Sequence, residues 1–259
     1  MKAFILAAGH GTRLRPLTDR IPKCLVPIQG VPLLLIWFQI CRQYGVDEVL
    51  VNLHSQSQAV RDFLAKTPVD IRVRLFEEPV LLGSAGTLRA NQEWVSSESA
   101  FWVFYADLLT AANLSRMADF HRHHQGLATL GVCTVPDPHR SGIVVLDKRG
   151  AVRKFVEKPE NPPSNLAFGG IMLARPKLLR NIPADVPADL GRDVLPRLAK
   201  RTYAYLITEY HLDIGTPESY AAAQRDWPGL PVRTGASGNH GGSGKSLKAP
   251  DRLQLVKSD

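Results

Sequence analysis

Three observations predict an α/β fold built on a mixed, mainly parallel sheet flanked by helices. Short apolar runs alternate with helix-length amphipathic stretches over the first 135 residues, as βαβ crossovers require. Hydrophobic residues make up 44% and charged residues 22%, so a chain of 259 residues can bury a sizeable core. No apolar run approaches the roughly 18 residues of a membrane span.

The opening run to Ala8 reads as a buried strand. Gly9-His10-Gly11-Thr12-Arg13 interrupts it too early for a secretory signal, so a cytoplasmic protein is expected. Over 32–44, proline suits a first helical turn, Leu33, Trp37, Ile40 and Tyr44 recur on one face, and Gly45 can end the helix. Then come a strand over 48–53, a helix over 56–66 with Val60, Phe63 and Leu64 on one face, and a half-buried strand over 71–76. A helix at 84–95, a buried strand at 101–106 running into Asp107, a helix at 114–124 and a strand at 128–135 complete this Rossmann-like part.

Beyond Val135 the texture changes. Segments 142–147 and 151–157, joined by Lys148-Arg149-Gly150, read as a hairpin. Strands at 168–174 and 203–207 and helices at 177–182 and 193–200 follow, and 217–227 closes the ordered part. The expected organisation is one domain over 1–227: a first part to about 135, then a smaller part, about 136–227, inserted and appended. Residues 228–259, rich in Gly and Ser, are expected to form a flexible, disordered tail.

Thirty-two Lys and Arg against 24 Asp and Glu give a net charge of +8, which favours anionic partners. Five basic and two acidic residues fall in 228–259, leaving about +5 on the body with no dense basic stripe. Phosphorylated small molecules fit that balance; no membrane and no specific nucleic acid partner is expected. Cys24, Cys41 and Cys133 are odd in number and form no CxxC, which argues against a disulfide scaffold or a cysteine-built zinc site.

The chemistry starts in the loop after the first strand. Gly9-His10-Gly11-Thr12-Arg13-Leu14 lacks side chains where backbone N–H groups would approach a phosphate. It is neither a dinucleotide fingerprint, since Leu14 takes the third glycine position, nor a Walker loop. A lone GxG also fits a plain tight turn. Downstream charge shifts the balance: Arg13 lies in the loop, and Pro22 precedes Lys23 in Pro22-Lys23-Cys24-Leu25-Val26-Pro27, restricting the backbone around that ammonium.

The segment from Met1 to Pro27, MKAFILAAGHGTRLRPLTDRIPKCLVP, resembles the signature of the sugar-1-phosphate nucleotidyltransferases. The resemblance continues in order through Leu82-Gly83-Ser84-Ala85-Gly86-Thr87, Tyr105-Ala106-Asp107, Phe155-Val156-Glu157-Lys158-Pro159, Phe168-Gly169-Gly170-Ile171 and Asp213-Ile214-Gly215-Thr216-Pro217-Glu218. Within the family it looks most like the short mannose-1-phosphate guanylyltransferase-like enzymes, and somewhat like N-acetylmuramate-1-phosphate uridylyltransferases. No C-terminal β-helix is expected.

The resemblance implies an enzyme that joins an NTP to a sugar 1-phosphate and releases pyrophosphate, with Mg²⁺ as cofactor. It points first to GTP with mannose 1-phosphate or a related hexose or heptose 1-phosphate. UTP- or CTP-dependent transfer to glucose 1-phosphate, N-acetylmuramate 1-phosphate or phosphocholine remains open, as do a catalytically silent nucleotide-sensing homologue and a homo-oligomer. Arg13, Lys23 and Asp107 are the implied catalytic residues. Ala7, Ala8, Gly9, Gly11, Thr12 and Arg13 would hold the phosphates, and Gly83, Ser84, Ala85, Gly86 and Thr87 the base. Glu157, Lys158 and Gly170 would hold the sugar phosphate, and Asp107 and Asp213 the metal. Such a reaction needs alignment and charge neutralisation rather than a covalent nucleophile.

Two features depart from the family pattern or compete with it. No Gln lies between Glu77 and Arg89, which argues against dTTP, because thymidylyltransferases of this family usually carry one there. Phe168-Gly169-Gly170 stands where the family often has Asn-Ala-Gly, removing a hydroxyl-binding amide. His121, His123 and His124 are expected at a solvated helix end rather than in a metal site. His54 is expected to be structural, or to line the base or sugar pocket, and Trp37 and Phe38 to be core.

Overall fold

A computed structural model describes residues 1–230; the tail expected over 228–259 lies outside the described residues from 231 onward. The chain runs β1 (Lys2–Leu6), a short α1 (Leu17–Arg20), a two-residue hairpin pair β2 (Pro27–Ile28) and β3 (Val31–Pro32), and α2 (Leu33–Gln43). Next come β4 (Glu48–Leu53), α3 (Ser57–Lys66), β5 (Arg72–Glu77), α4 (Gly83–Ala90), β6 (Phe101–Tyr105), β7 (Leu108–Thr110), α5 (Leu114–Arg122) and β8 (Ala128–Thr134). Then follow β9 (Gly142–Leu146), β10 (Val152–Glu157), β11 (Leu166–Ala174), β12 (Thr202–Leu206), β13 (His211–Asp213) and α6 (Pro217–Asp226).

One sheet of nine strands holds strands from both sides of residue 135. β5, β4, β1 and β6 lie side by side and parallel; β11 adds antiparallel to β6, β8 pairs with β11, and β12 runs parallel to β8. Because β1, β4, β5 and β6 are parallel, their C-terminal ends open on one edge, where ligands bind in such sheets.

Alternation along the strands builds a core on each face. Trp102 and Phe104 of β6 join Ala3, Ile5 and Trp37 on one side, while Phe101 and Val103 join Phe4, Leu50 and Leu88 on the other. Trp37 stacks on Phe104 with ring centroids 4.7 Å apart. Both faces are covered, so β6 reads as an unbroken apolar run. Each buried Val, Leu, Ile or Phe among them contributes about 1.5–3 kcal/mol by leaving water.

Some expected helices are different turns. The 84–95 helix stops at Ala90 and continues as a 3₁₀ turn, Gln92–Val95. The helix expected at 177–182 is 3₁₀ over Pro176–Asn181. The one expected at 193–200 is a π turn, Leu190–Val194, followed by 3₁₀ over Leu195–Leu198; Pro196 lacks the N–H that an α-helix would use there.

The histidine expectation also needs correction. His123 is exposed, but His121 and His124 are 3% and 8% exposed. His121 Nδ1 and His124 Nε2 each bond Thr129 Oγ1, at 2.8 and 2.7 Å, and His124 stacks on Tyr203. The spacing Leu114, Met117, His121 places His121 on the buried face of α5. Burial, then the nearby Arg175, holds the His121 pKa down at about 3 and the His124 pKa at about 4. In the unfolded chain both titrate near 6.5, so as pH falls below that value the unfolded state binds protons the folded state refuses. Stability is therefore full above about pH 6.5 and falls toward pH 4. The urea midpoint should drop across that window, and His121→Asn should flatten the drop.

Candidate active site

The edge of the parallel strands opens into a cleft of about 800 Å³. Among the expected residues, Ala7, Ala8, Gly9, Lys23, Gly83, Ser84, Asp107, Glu157 and Lys158 line it, so segments far apart in sequence converge. The loop after β1 forms one wall. Among the described residues, the amides of Ala8, Gly9, His10 and Gly11 donate to no protein group, whereas that of Ala7 is held by Asn52 Oδ1 at 2.6 Å. A Cβ at Gly9 would meet nothing within 4 Å; the glycine leaves open space at the cleft wall. Gly11 has a different reason: its φ is +65°, and its carbonyl accepts from Thr18 Oγ1 and Leu14 N. Thr12 and Arg13 sit exposed at the rim on a 3₁₀ turn.

Lys23 lies on the 3₁₀ turn Lys23–Leu25, which Pro22 precedes in an extended conformation. Its Nζ is 2.6 Å from Asp107 Oδ2, and its side chain is only 11% exposed. Asp107 follows β6 directly. β13 then brings in the second carboxylate: it pairs antiparallel with β7, setting Asp213 opposite Leu108, and Ile214 N donates to Asp107 O at 3.0 Å. Arg13 lies 3.7 Å from Asp213 Oδ2, a loose pair between half-exposed groups. Partial burial, and then the Asp107 charge, push the Asp213 pKa up, against the pull of Lys23 and Arg13. Two carboxylates repelling each other beside an open cleft form a donor set that suits Mg²⁺, which takes one or two carboxylates and fills its remaining positions with phosphate and water.

The base segment is arranged differently from expectation. Ala85, Gly86 and Thr87 are buried behind the cleft wall. The amides of Ala85 and Gly86 donate to Ala188 O, at 2.9 and 3.1 Å, so they are not offered to a ligand. Gly83, at φ +78°, would press a Cβ into the Ala188 carbonyl; its glycine serves this backbone contact. Gly170 is likewise buried, in a bulge of β11 against Leu108 and Tyr105. Packing accounts for that glycine, and it lies outside the cleft lining.

Sequence reasoning missed Asn52, Glu78, Leu81, Tyr105, Pro187, Asp189 and Arg192, which also line the cleft. Glu78 is 2% exposed; its carboxylate accepts from Asn52 Nδ2 at 2.8 Å, Thr87 Oγ1 at 2.5 Å and Leu82 N at 3.0 Å. Thr87 thus supports the wall from behind. Asp189 accepts from Ser84 Oγ at 2.7 Å and from the amides of Gly191 and Arg192. Burial and the neighbouring Asp189 raise the Glu157 pKa, and Gly191 has no side chain because Glu157 occupies that space. His54 stays structural, its Nδ1–H donating to Glu78 O at 2.7 Å.

With this geometry in place, comparison with known proteins is decisive. The nucleotidyl transferase family matches over residues 2–228. The chain belongs to that family. It is 34% identical to mannose-1-phosphate guanylyltransferase 1 of Arabidopsis thaliana, over 87% of this chain and 64% of that protein. It is 31% identical to the mannose-1-phosphate guanylyltransferase catalytic subunit beta of Xenopus tropicalis, over 85% of this chain and 62% of the other. The chain therefore spans somewhat under two thirds of the length of these relatives. HddC from Yersinia pseudotuberculosis, solved also with GMP-PN, shares 25% identity at a TM-score of 0.74, covering 86% of this chain and 98% of its own. The mixed, mainly parallel Rossmann-like sheet is the architecture that HddC shares with it.

Proposed function

We propose that the chain is a sugar-1-phosphate nucleotidyltransferase that uses Mg²⁺ and takes GTP and mannose 1-phosphate, or a related hexose or heptose 1-phosphate, as substrates. The observation that carries this reading is the Lys23–Asp107 pair in the wall of a cleft that Ala8 and Gly9, with their unpaired amides, and Lys158 and Arg192 also line. A phosphate oxygen of the sugar 1-phosphate attacks the α-phosphorus, the bond to the β-phosphate bridging oxygen breaks, and pyrophosphate leaves with that oxygen. Both reactants are anionic, so catalysis rests on alignment and on positive charge at the nonbridging oxygens. The loop amides and Arg13 hold the leaving phosphates, Lys23 meets the α-phosphate, and Lys158 and Arg192 hold the sugar phosphate. Asp107 and Asp213 would hold the Mg²⁺, which adds positive charge to the triphosphate.

GTP is supported by the two guanylyltransferase relatives, which are 34% and 31% identical to this chain. Among the described residues, no helix is long and apolar enough to cross a membrane. We place the reaction in the cytoplasm, where nucleoside triphosphates are available.

The test is a panel of four NTPs against several sugar 1-phosphates, scored by released pyrophosphate. The expected result is release that requires both substrates and Mg²⁺. Nucleotide binding without release under any pairing would favour the silent, sensing homologue.

A further inference from the structure

We infer that His211 is a positioning residue for the transfer, fixing the ribbon that carries Asp107 and Asp213 to the strand beside the sugar-phosphate wall. β7 and β13 form that ribbon, with His211 opposite Thr110, Leu212 opposite Leu109 and Asp213 opposite Leu108. Asp107 immediately precedes it and Asp213 ends it. The His211 ring leaves the ribbon and reaches β11: Nε2–H donates to Gly169 O at 2.9 Å. Nδ1 accepts from Thr110 Oγ1 at 3.0 Å. A carbonyl only accepts, so this geometry fixes the tautomer with the proton on Nε2.

Gly169 is cut to fit this ring. A Cβ there would lie 2.7 Å from His211 Nε2, closer than real Cβ contacts come. The second position of Phe168-Gly169-Gly170 is thus kept free of a side chain by a residue 42 positions away. The next residue, Gly170, packs its bulge on Leu108 of the ribbon and on Tyr105, which lines the cleft. Ribbon and strand are therefore joined twice, once by packing and once by a directional bond. A shift of about 1 Å between reacting groups costs on the order of 100-fold in rate, so a bond of this kind acts on turnover rather than on nucleotide affinity.

This role rests on the reading under Proposed function, and the experiment separates the two. Full-length wild type, His211→Leu, His211→Gln and Gly169→Ala are compared. His211→Leu removes the donor, His211→Gln keeps an amide donor on a side chain long enough to reach Gly169 O, and Gly169→Ala pushes the ring away while leaving it intact. With active wild type, His211→Leu and Gly169→Ala should lower kcat by roughly 10- to 100-fold, with the Kd for a nonhydrolysable GTP analogue within about twofold. His211→Gln should recover most of kcat. Amide hydrogen exchange, which needs no activity, should quicken at 166–174 and 208–214 in His211→Leu and return in His211→Gln. Unchanged exchange in both segments, or kcat unchanged in both His211→Leu and Gly169→Ala, would overturn the role. If wild type proves inactive with every substrate pair, the proposed reaction falls, and exchange alone decides the link. If His211→Leu fails to fold, His211→Gln and Gly169→Ala give the answer.

Discussion

Lys23→Ala should lower kcat by roughly 10²–10³-fold while leaving the affinity for the nucleoside triphosphate nearly unchanged. The ammonium is poorly exposed and 2.6 Å from Asp107 Oδ2, so its position is set before any substrate arrives. A preset charge costs no reorganisation when negative charge develops in the transition state. With the loop amides and Arg13 in the role proposed for them, the ground-state triphosphate keeps those contacts, so affinity should survive. Lys23→Arg separates charge from shape: the planar guanidinium is larger, and the site beside Asp107 is fitted to a compact ammonium. Arg should therefore restore little. Pre-steady-state pyrophosphate release, together with the Kd of a nonhydrolysable GTP analogue, measures both quantities. A Kd raised as much as kcat is lowered would mean that Lys23 binds the ground state and is not the transition-state charge. Stability needs its own control, because the variant leaves the Asp107 carboxylate without its partner.

The parts of the site legible in sequence are those in which one short segment carries its own reason. The loop from Gly9 to Arg13 shows its glycines and its charge together, and Lys23 is marked by the proline before it. The central strands could also be read, because β1, β4 and β6 are buried on both faces and show as apolar runs. What stayed hidden depends on partners far away. β7 and β13 have three residues each, too few to show any period, yet their pairing is what sets Asp213 beside Asp107. Arg192 lies in a π turn, which has no pattern of its own, and Asp189 shows itself only as the cap of that turn. Glycine misled in the other direction. At Gly83 and Gly86 the missing side chain serves the Ala188 segment, and at Gly169 it serves His211; no local pattern separates such a glycine from one that admits a ligand.

Asp213→Asn should move activity and stability in opposite directions. In the metal-free protein the Asp213 carboxylate is partly buried beside Asp107, and both effects push its pKa up. A folded pKa raised above the unfolded value means that, at neutral pH, ionised Asp213 opposes folding. That penalty fades as pH falls through the raised value, where the group takes up its proton. The amide has no charge to lose, and its oxygen can still accept from Gly215 N as Asp213 Oδ1 does at 2.6 Å. The variant should therefore melt no lower than wild type at pH 7.5 without metal, and the difference should shrink toward pH 4. Activity should do the reverse. Asparagine is a poorer ligand for a hard dication than a carboxylate, so kcat/KM should fall by about 10²-fold or more, and the Mg²⁺ needed for half-maximal rate should rise. Asp107→Asn is the informative contrast, because it also strips Lys23 of its ion pair and should lose stability along with turnover. Melting curves with and without Mg²⁺, run beside Mg²⁺ titrations of the rate, check both halves. An Asp213→Asn enzyme with an unaltered Mg²⁺ titration would remove Asp213 from the metal site and leave Asp107 to hold the ion with the phosphates alone.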